Sequence, residues 1–576
     1  MSKKIIIDPI TRIEGHLRVE VVVDDNNKVT EAYSSATLWR GLEQIVKGRD
    51  PRDVGFMIQR ICGVCTFSHY KAGIVAVENA LGITPPLNAI LTRTLMNNAL
   101  FLHDHPVHFY NLHGLDWADI VSALSADPRK ASDEAFKYAE YPVATGADHL
   151  KAVQSKVAAF VKKGDLGPFE NAYYGHKTYH FSPEQNLIVL SHYLECLKVQ
   201  RTAAQLMSIF GGKQPHPQSL TVGGVTCVMD ILSPARLGEY LVKFQEVADF
   251  INRAYYPDLV MAGKVFAKEK TVVSDMGVKN LFTYKEFQLS PNEYLFDSGI
   301  IMDGDISKVY EVDEDKITEE ATHAWYKDDA AYHPYDGVTN PNYTGFKNEE
   351  TIGSDGKMVK SKVVDGANKY SWIKAPRYDG KPMQVGPLAN IVVNFAKGNE
   401  RVVKVVEKFL KDTGLPLPAV FSTLGRTATR MIEAKVVADN GLIAFNNLVE
   451  NLKVDQETCA VYKIDTKKEY KGRYIGHVPR GTLSHWVRIK NGVVENYQAV
   501  VPSTWNASPK DASGVRGPYE ESLIGLEIAD LSKPLEVVRA IHSYDPCIAC
   551  AVHVLDTKGN EISSYKVSDN DACQKE

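Results

Sequence analysis

Two stretches decide how this chain folds: Arg60-Ile61-Cys62-Gly63-Val64-Cys65-Thr66-Phe67-Ser68-His69, and Asp545-Pro546-Cys547-Ile548-Ala549-Cys550-Ala551-Val552-His553. Each is a C-x-x-C pair with a histidine close behind. The chain has eight cysteines in 576 residues, and the other four (Cys196, Cys227, Cys459, Cys573) stand alone. That is too few for a disulfide scaffold. Four converging thiolates suit tetrahedral zinc, an iron–sulfur cluster or a softer redox metal. Structural zinc motifs usually join their pairs over about 12 to 20 residues, whereas almost five hundred separate these two. A metal shared by both pairs must sit where the ends of the fold close on each other. A chain of this size has its own core and needs no such staple. The spacing therefore favours a redox or catalytic metal over structural zinc, with unrelated buried or redox thiols as the remaining alternative. Arg60 and Asp545 set one charge of each sign beside the pairs. Gly63 permits close backbone approach, and Pro546 fixes the backbone entering the second pair.

Outward from these motifs, the hydrophobic period changes along the chain. Residues 17–21 alternate apolar and polar, Asn26-Asn27 mark a hairpin turn, and VTEAYSSATLW reads as the returning strand. Segments 87–113, 146–163, 184–211 and 234–263 carry apolar residues at three-and-four spacing, as do 386–412 and 420–452. Between them, 266–375 is rich in Tyr, Asp, Gly and Asn and reads as an irregular strand-and-loop excursion. Strands return in GRYIGHVPRG and SHWVRIKNGVVENYQAVVPSTW, and a helix around 534–542 leads into the second cysteine pair. The predicted fold is α+β, a central bundle of long helices with β structure at both ends.

Composition narrows the function. Lys and Arg number 66 against 71 Asp and Glu, a net charge of −5, so no broad basic field draws in nucleic acid. No apolar run reaches the roughly 18 residues of a membrane span. The start, MSKKIIIDPITR, lacks the pattern of a secretory signal. Nucleotide-binding glycine loops, HExxH and GxSxG are absent.

The two cysteine motifs resemble the signatures of the large subunit of [NiFe] hydrogenases. Further blocks resemble the same family in the same order: DPITRIEGHLRVE, LWRGLEQIVKGRDPRD, HDHPVHFYNLHGLDW, VGGVTC, KYSWIKAPRY, VGPLAN, STLGRTATR, PRGTLSHW, NYQAVVPSTWN and KPLEVVRAIHSYDP. The likeness covers residues 1–553 as one domain, is weakest over 266–365, and is nearest to membrane-associated uptake enzymes of bacteria. It implies reversible heterolytic cleavage of H2. Cys62 and Cys547 become terminal nickel ligands. Cys65 and Cys550 bridge nickel to an iron that carries carbon monoxide and two cyanides. Cys547 or Arg480 is the first proton base, with the thiolate preferred because a guanidinium is a poor base. Asp104 and Asp545 hold Arg480, and Glu14 relays the proton. Ser503, Arg480 and the backbone near Pro479 bond the cyanides. Glu43, the Ala499 carbonyl and His553 hold magnesium or ferrous iron.

The resemblance also implies partners. The lone cysteines cannot build an in-chain cluster relay, so electrons leave through an iron–sulfur small subunit in an obligate heterodimer, and from there through a membrane cytochrome b to the quinone pool. Nickel-insertion proteins and an endopeptidase mature the chain, cutting between His553 and Val554 and removing 554–576. The complex is exported with the small subunit to the periplasmic side of the membrane. Taken without the resemblance, Glu14 reads as a solvated strand-end carboxylate, Arg480 as a surface turn, the histidines of His103-Asp104-His105 and His108 as helix packing, and His69 as hydrogen-bonding support. The rivals are a metal-free quinone-site subunit of the same fold, which lacks the four cysteines, and a zinc-stapled scaffold, which needs no Glu14, Arg480 or Asp104.

Overall fold

The structure, a computed structural model, describes residues 3–352 and 358–551. An antiparallel sheet opens it, with strands β1 (Lys3–Ile7), β2 (Leu17–Val23) and β3 (Val29–Ala36) in that order. The turn forms where two asparagines and an aspartate offer local bonds. Asp24 Oδ1 accepts the N–H groups of Asn26 and Lys28 at 2.8 and 2.9 Å, and Asn27 takes the left-handed conformation at φ 59° that asparagine tolerates. Alternation predicts one wet face, yet every residue of β2 is buried. The polar face is covered rather than solvated: Arg18 donates to Asp8 and Glu20 at 3.0 and 3.1 Å, and Glu20 accepts the N–H of Val364 at 3.0 Å. The excursion folds back over the sheet.

The central helices are α1 (Thr66–Leu81), α2 (Leu87–Val107), α3 (Pro183–Gly211) and α4 (Pro234–Phe250). A capping box between Ser182 and Gln185 starts α3, satisfying donors that a helix end leaves open. The periodic segments 87–113 and 234–263 each pass through a wider π turn, His108–His113 and Ile251–Tyr255, the second continuing as Tyr256–Phe266. Each turn lies beside a proline, Pro106 or Pro257, whose missing N–H loosens the helical ladder.

Within 266–375 the described strands form two-stranded pairs, among them Leu281–Thr283 with Gly299–Ile301 and Glu286–Ser290 with Glu293–Phe296. Helices resume at α5 (Pro387–Ala396), α6 (Glu400–Thr413) and α7 (Thr423–Asn440). A second antiparallel sheet follows, β4 (Tyr470–Val478), β5 (Gly481–Lys490) and β6 (Val493–Val500). Helix α8 (Leu535–His542) then leads to the short α9 (Ile548–Ala551). The largest apolar cluster runs through the long helices and the second sheet and includes Cys62, Cys65 and Cys547. No helix among the described residues is long and apolar enough to cross a membrane. The side chain of Cys550, together with His553, Val554, Cys573 and the rest of 552–576, lies outside the described residues.

Candidate metal centre

The segments around Glu14 and Cys547 meet. Glu14 and Cys547 form a parallel bridge, in which Glu14 N–H donates to Pro546 O at 3.3 Å and Ile548 N–H to Glu14 O at 2.7 Å. The approach is close because residue 15 has no side chain. A Cβ on Gly15, at φ 88°, would lie 2.2 Å from Ala549 N. Gly15→Ala is therefore expected to cost about 2–4 kcal/mol and to strip metal from the purified protein, as read by urea denaturation and elemental analysis.

At this seam the sulfurs of Cys62, Cys65 and Cys547 lie within 4.8 Å of one another, all buried. Cys62 and Cys547 are 3.3 Å apart, too far for a disulfide and near enough to share an ion. The N–H groups of Val64 and Cys65 donate to Cys62 Sγ at 3.2 and 3.0 Å, donors that suit an anionic sulfur. Cys65 is the N-cap of the sixteen-residue α1, whose dipole favours negative charge there. Ser503 Oγ accepts the N–H of Cys547 at 3.0 Å, which leaves its own O–H to donate elsewhere. The cavity beside the sulfurs is lined by Val478, Val501 and Pro502 on an apolar side, and by Arg480, Ser503 and His69 on a polar one.

Arg480 reaches this cavity from the tip of a hairpin. Val478 pairs with Gly481, so Pro479 and Arg480 form the two-residue loop, and Gly481, at φ 130°, sits where a Cβ would lie 2.5 Å from Gly386 N. Arg480 Nη1 donates to Asp104 Oδ2 at 2.9 Å, and its Nε lies 3.2 Å from Asp545 Oδ1. Burial alone would weaken the cation. Asp545, Cys547 and Asp104 outweigh it and hold the guanidinium well above its ordinary pKa. Asp104 is kept below the usual carboxylate range in spite of its burial, by Arg480 and His103.

Glu14 is half-buried. Its Oε2 lies 3.4 Å from Cys547 Sγ and accepts the N–H of Ala549 at 3.1 Å. Burial first, and then the charge of Cys62, push its carboxyl up to about 7. His69 Nδ1 meets His485 Nε2 at 3.1 Å, and His485 in turn meets the Tyr497 hydroxyl at 2.5 Å. His105 pairs with Glu433 at 2.8 Å, and His108 donates to His542 O at 2.7 Å.

Glu43 and Ala499 are also neighbours. The Ala499 N–H donates to Glu43 Oε1 at 2.9 Å, while Thr339 and Gln498 donate to Oε2 at 2.5 and 3.4 Å. Lys374 bonds Gln498 at 2.8 Å and stands 4.0 Å from Glu319, whose carboxyl burial pushes up to about 7.

The sequence reading needs one correction and missed two residues. Arg60 is exposed, its guanidinium stacked 4.3 Å over the Phe56 ring and donating to Phe56 O, so it places no charge at the sulfurs. Arg40 does sit there: its Nη2 donates to the carbonyls of Arg60, at 2.8 Å, of Ile61, and of Ala549, at 3.3 Å, tying one cysteine motif to the other. Arg430, on α7, donates to Ser543 O at 2.9 Å and stands 3.9 Å from Asp545. Neither has a local signal, because each contact spans more than a hundred positions or joins backbone carbonyls.

Buried thiols, a cationic hairpin and a carboxyl raised by burial meet at one seam, and comparison with known proteins gives the chain a family. Residues 40–553 match the family described as nickel-dependent hydrogenase, and residues 4–37 match one described as HoxL-like. The chain is 68% identical over 567 residues to the quinone-reactive Ni/Fe-hydrogenase large chain of Wolinella succinogenes, covering 98% of each. It is 41% identical to the Hydrogenase-2 large chain of Escherichia coli K12, covering 98% of this chain and all of that one. Among solved structures, the as-isolated oxidised Ni-Fe-Se hydrogenase of Desulfovibrio vulgaris Hildenborough superposes with a TM-score of 0.76 at 31% identity, covering 96% of this chain and 100% of that one. With both cysteine motifs inside the matched span and the sulfurs gathered at one seam, this chain belongs to the nickel-dependent hydrogenases, as a large subunit.

Proposed function

We propose that this chain is the hydrogen-cleaving subunit of an uptake hydrogenase. It converts H2 to two protons and two electrons and passes the electrons to an iron–sulfur small subunit. From there they travel through a membrane cytochrome b to quinone, an acceptor supported by the name of the quinone-reactive Wolinella relative. One observation carries the reading: Cys62, Cys65 and Cys547 converge at one buried seam, with Arg480 lining the cavity beside Cys65 and Cys547 and Glu14 Oε2 3.4 Å from Cys547 Sγ.

The donor set fits a nickel–iron centre. Soft anionic sulfurs suit a metal that cycles its oxidation state. The apolar wall would suit carbon monoxide carried by the iron, and Arg480 and Ser503 would be donors for two cyanides. Cys62 and Cys547 would hold nickel, and Cys65 and Cys550 would serve nickel and iron together. When bound, the centre supplies the Lewis acid and the electron sink for heterolytic cleavage. The chain supplies the rest. Arg480, clamped between Asp104 and Asp545, keeps its proton and presents a fixed positive charge to the cavity. Cys547 Sγ is then the first base, and the proton passes from it to Glu14 Oε2, a carboxyl able to take and release it near pH 7. Glu43 and the Ala499 carbonyl would supply oxygen ligands to magnesium or ferrous iron, with His553 as a third ligand. Cleavage between His553 and Val554 by a maturation endopeptidase, after nickel insertion, completes the chain. The complex works on the periplasmic side of the membrane, exported with its small subunit.

Glu14→Gln tests the reading. It keeps the shape and the N–H of Ala549 but cannot relay a proton, so H2-dependent dye reduction by the two-subunit complex should fall about 10²–10⁴-fold at unchanged nickel content. An unchanged rate would remove Glu14 from the route.

A further inference from the structure

Away from the thiols, a second buried cluster joins His113, Asp116 and His542, with ligand atoms within 4.8 Å of one another. Its bonding is that of an ion network rather than a metal nest. Asp116 Oδ1 accepts from Arg12 Nη2 at 2.5 Å, and Oδ2 faces His113 Nδ1 at 2.8 Å and His542 Nδ1 at 2.6 Å. The Arg12 cation already occupies the carboxylate that a metal would need. Against the cost of burial, Arg12 and the imidazoles hold Asp116 well below the usual carboxylate range.

Both histidines have accepting outer partners. His113 Nε2 meets the Thr427 hydroxyl at 3.1 Å, whose own proton goes to Thr423 O at 2.9 Å. His542 Nε2 meets the Thr11 carbonyl at 2.8 Å, which can only accept. With the Asp116 carboxylate on one nitrogen and a carbonyl on the other, both nitrogens of His542 face acceptors. The Asp116 carboxylate thus joins Arg12 and His542, which lie more than five hundred positions apart in the chain. Arg12, which also donates to Leu112 O at 2.5 Å, lies two residues before Glu14, and His542 lies five residues before Cys547. Thr11, bonded by His542, belongs to the Glu14 loop as well.

We propose that Asp116 is a positioning residue for proton transfer: through Arg12 and the His542–Thr11 bond it sets the distance between Glu14 Oε2 and Cys547 Sγ. The inference rests on Glu14 being the proton relay. Two variants separate its arms. Asp116→Asn removes the carboxylate charge to which Arg12 and His542 are bonded. His542→Asn keeps a donor toward Asp116 and cuts the bond to Thr11. Rates are measured per nickel on the two-subunit complex, as H2-dependent dye reduction in H2O and in D2O. If the contact is loosened, proton transfer becomes limiting, so turnover should fall about tenfold and the solvent isotope effect should at least double in both variants. A merely structural role lowers the yield of loaded enzyme without moving the isotope effect per nickel. Glu14→Gln is the reference. If it leaves the isotope effect at the wild-type value, the relay reading fails. If it raises the effect while Asp116→Asn and His542→Asn do not, the Asp116 inference alone is overturned. Loss of nickel from both variants would make the cluster an assembly element and would also overturn it. Should only Asp116→Asn lose nickel, His542→Asn decides.

Discussion

Cys547→Ser is expected to abolish H2-dependent electron transfer, by at least about 10³-fold, since a ligand to the reacting centre outweighs a single electrostatic donor, while the chain still folds and still binds its small subunit. Serine is close to isosteric at this buried position. The main-chain bonds that build the seam, Cys547 N–H to Ser503 and Ile548 N–H to Glu14 O, do not involve the sulfur. A hydroxyl can also donate to Glu14. What disappears is the soft anionic donor, and with it the first proton base proposed above, because a serine oxygen is harder and deprotonates far less readily. Activity assay and subunit co-purification of the same preparation check the expectation. Retained pairing with lost activity supports catalysis, and lost folding would instead support a structural staple.

Arg480→Lys is expected to slow turnover sharply as well. The guanidinium reaches Asp104 with Nη1 and Asp545 with Nε at the same time, a fork that a lysine ammonium cannot reproduce from a flexible stem. Turnover per nickel should fall about 10²–10³-fold with nickel content preserved, because the substitution keeps one positive charge between the two carboxylates. Arg480→Met removes that charge and leaves Asp104 and Asp545 buried beside the thiolates. It should cost about 3–5 kcal/mol of stability and reduce the nickel recovered. Equal turnover per nickel for wild type and Arg480→Lys would show that position 480 contributes only charge balance.

Local patterns made much of the fold readable. The hairpin from Leu17 to Ala36 follows from strand alternation and the Asn26-Asn27 turn, and the long helices from a sustained three-and-four spacing. What pattern could not reach was the covering of β2 on both faces, because the strand's polar residues bond a segment more than three hundred positions away. The same limit applies at the site. The C-x-x-C pairs announce themselves by spacing, and the resemblance attaches Glu14, Asp104 and Arg480 to them. The charges flanking the pairs misled in one case of two: Asp545 faces Arg480, whereas Arg60 turns outward onto Phe56. Arg40, Arg430 and Asp116 went unseen because an arginine or aspartate read without its distant partners looks like a solvated side chain. Only the closed fold shows them holding the cysteine segments together.

The most direct test of the central claim is elemental nickel, iron and zinc on the anaerobically purified two-subunit complex, with the intact mass of this chain from the same sample. About one nickel per chain, with iron alongside it and a mass ending at His553, is the result predicted for four cysteines that hold a catalytic nickel–iron centre. Zinc in place of nickel, on a chain already cut at His553 and still paired with its small subunit, would contradict it.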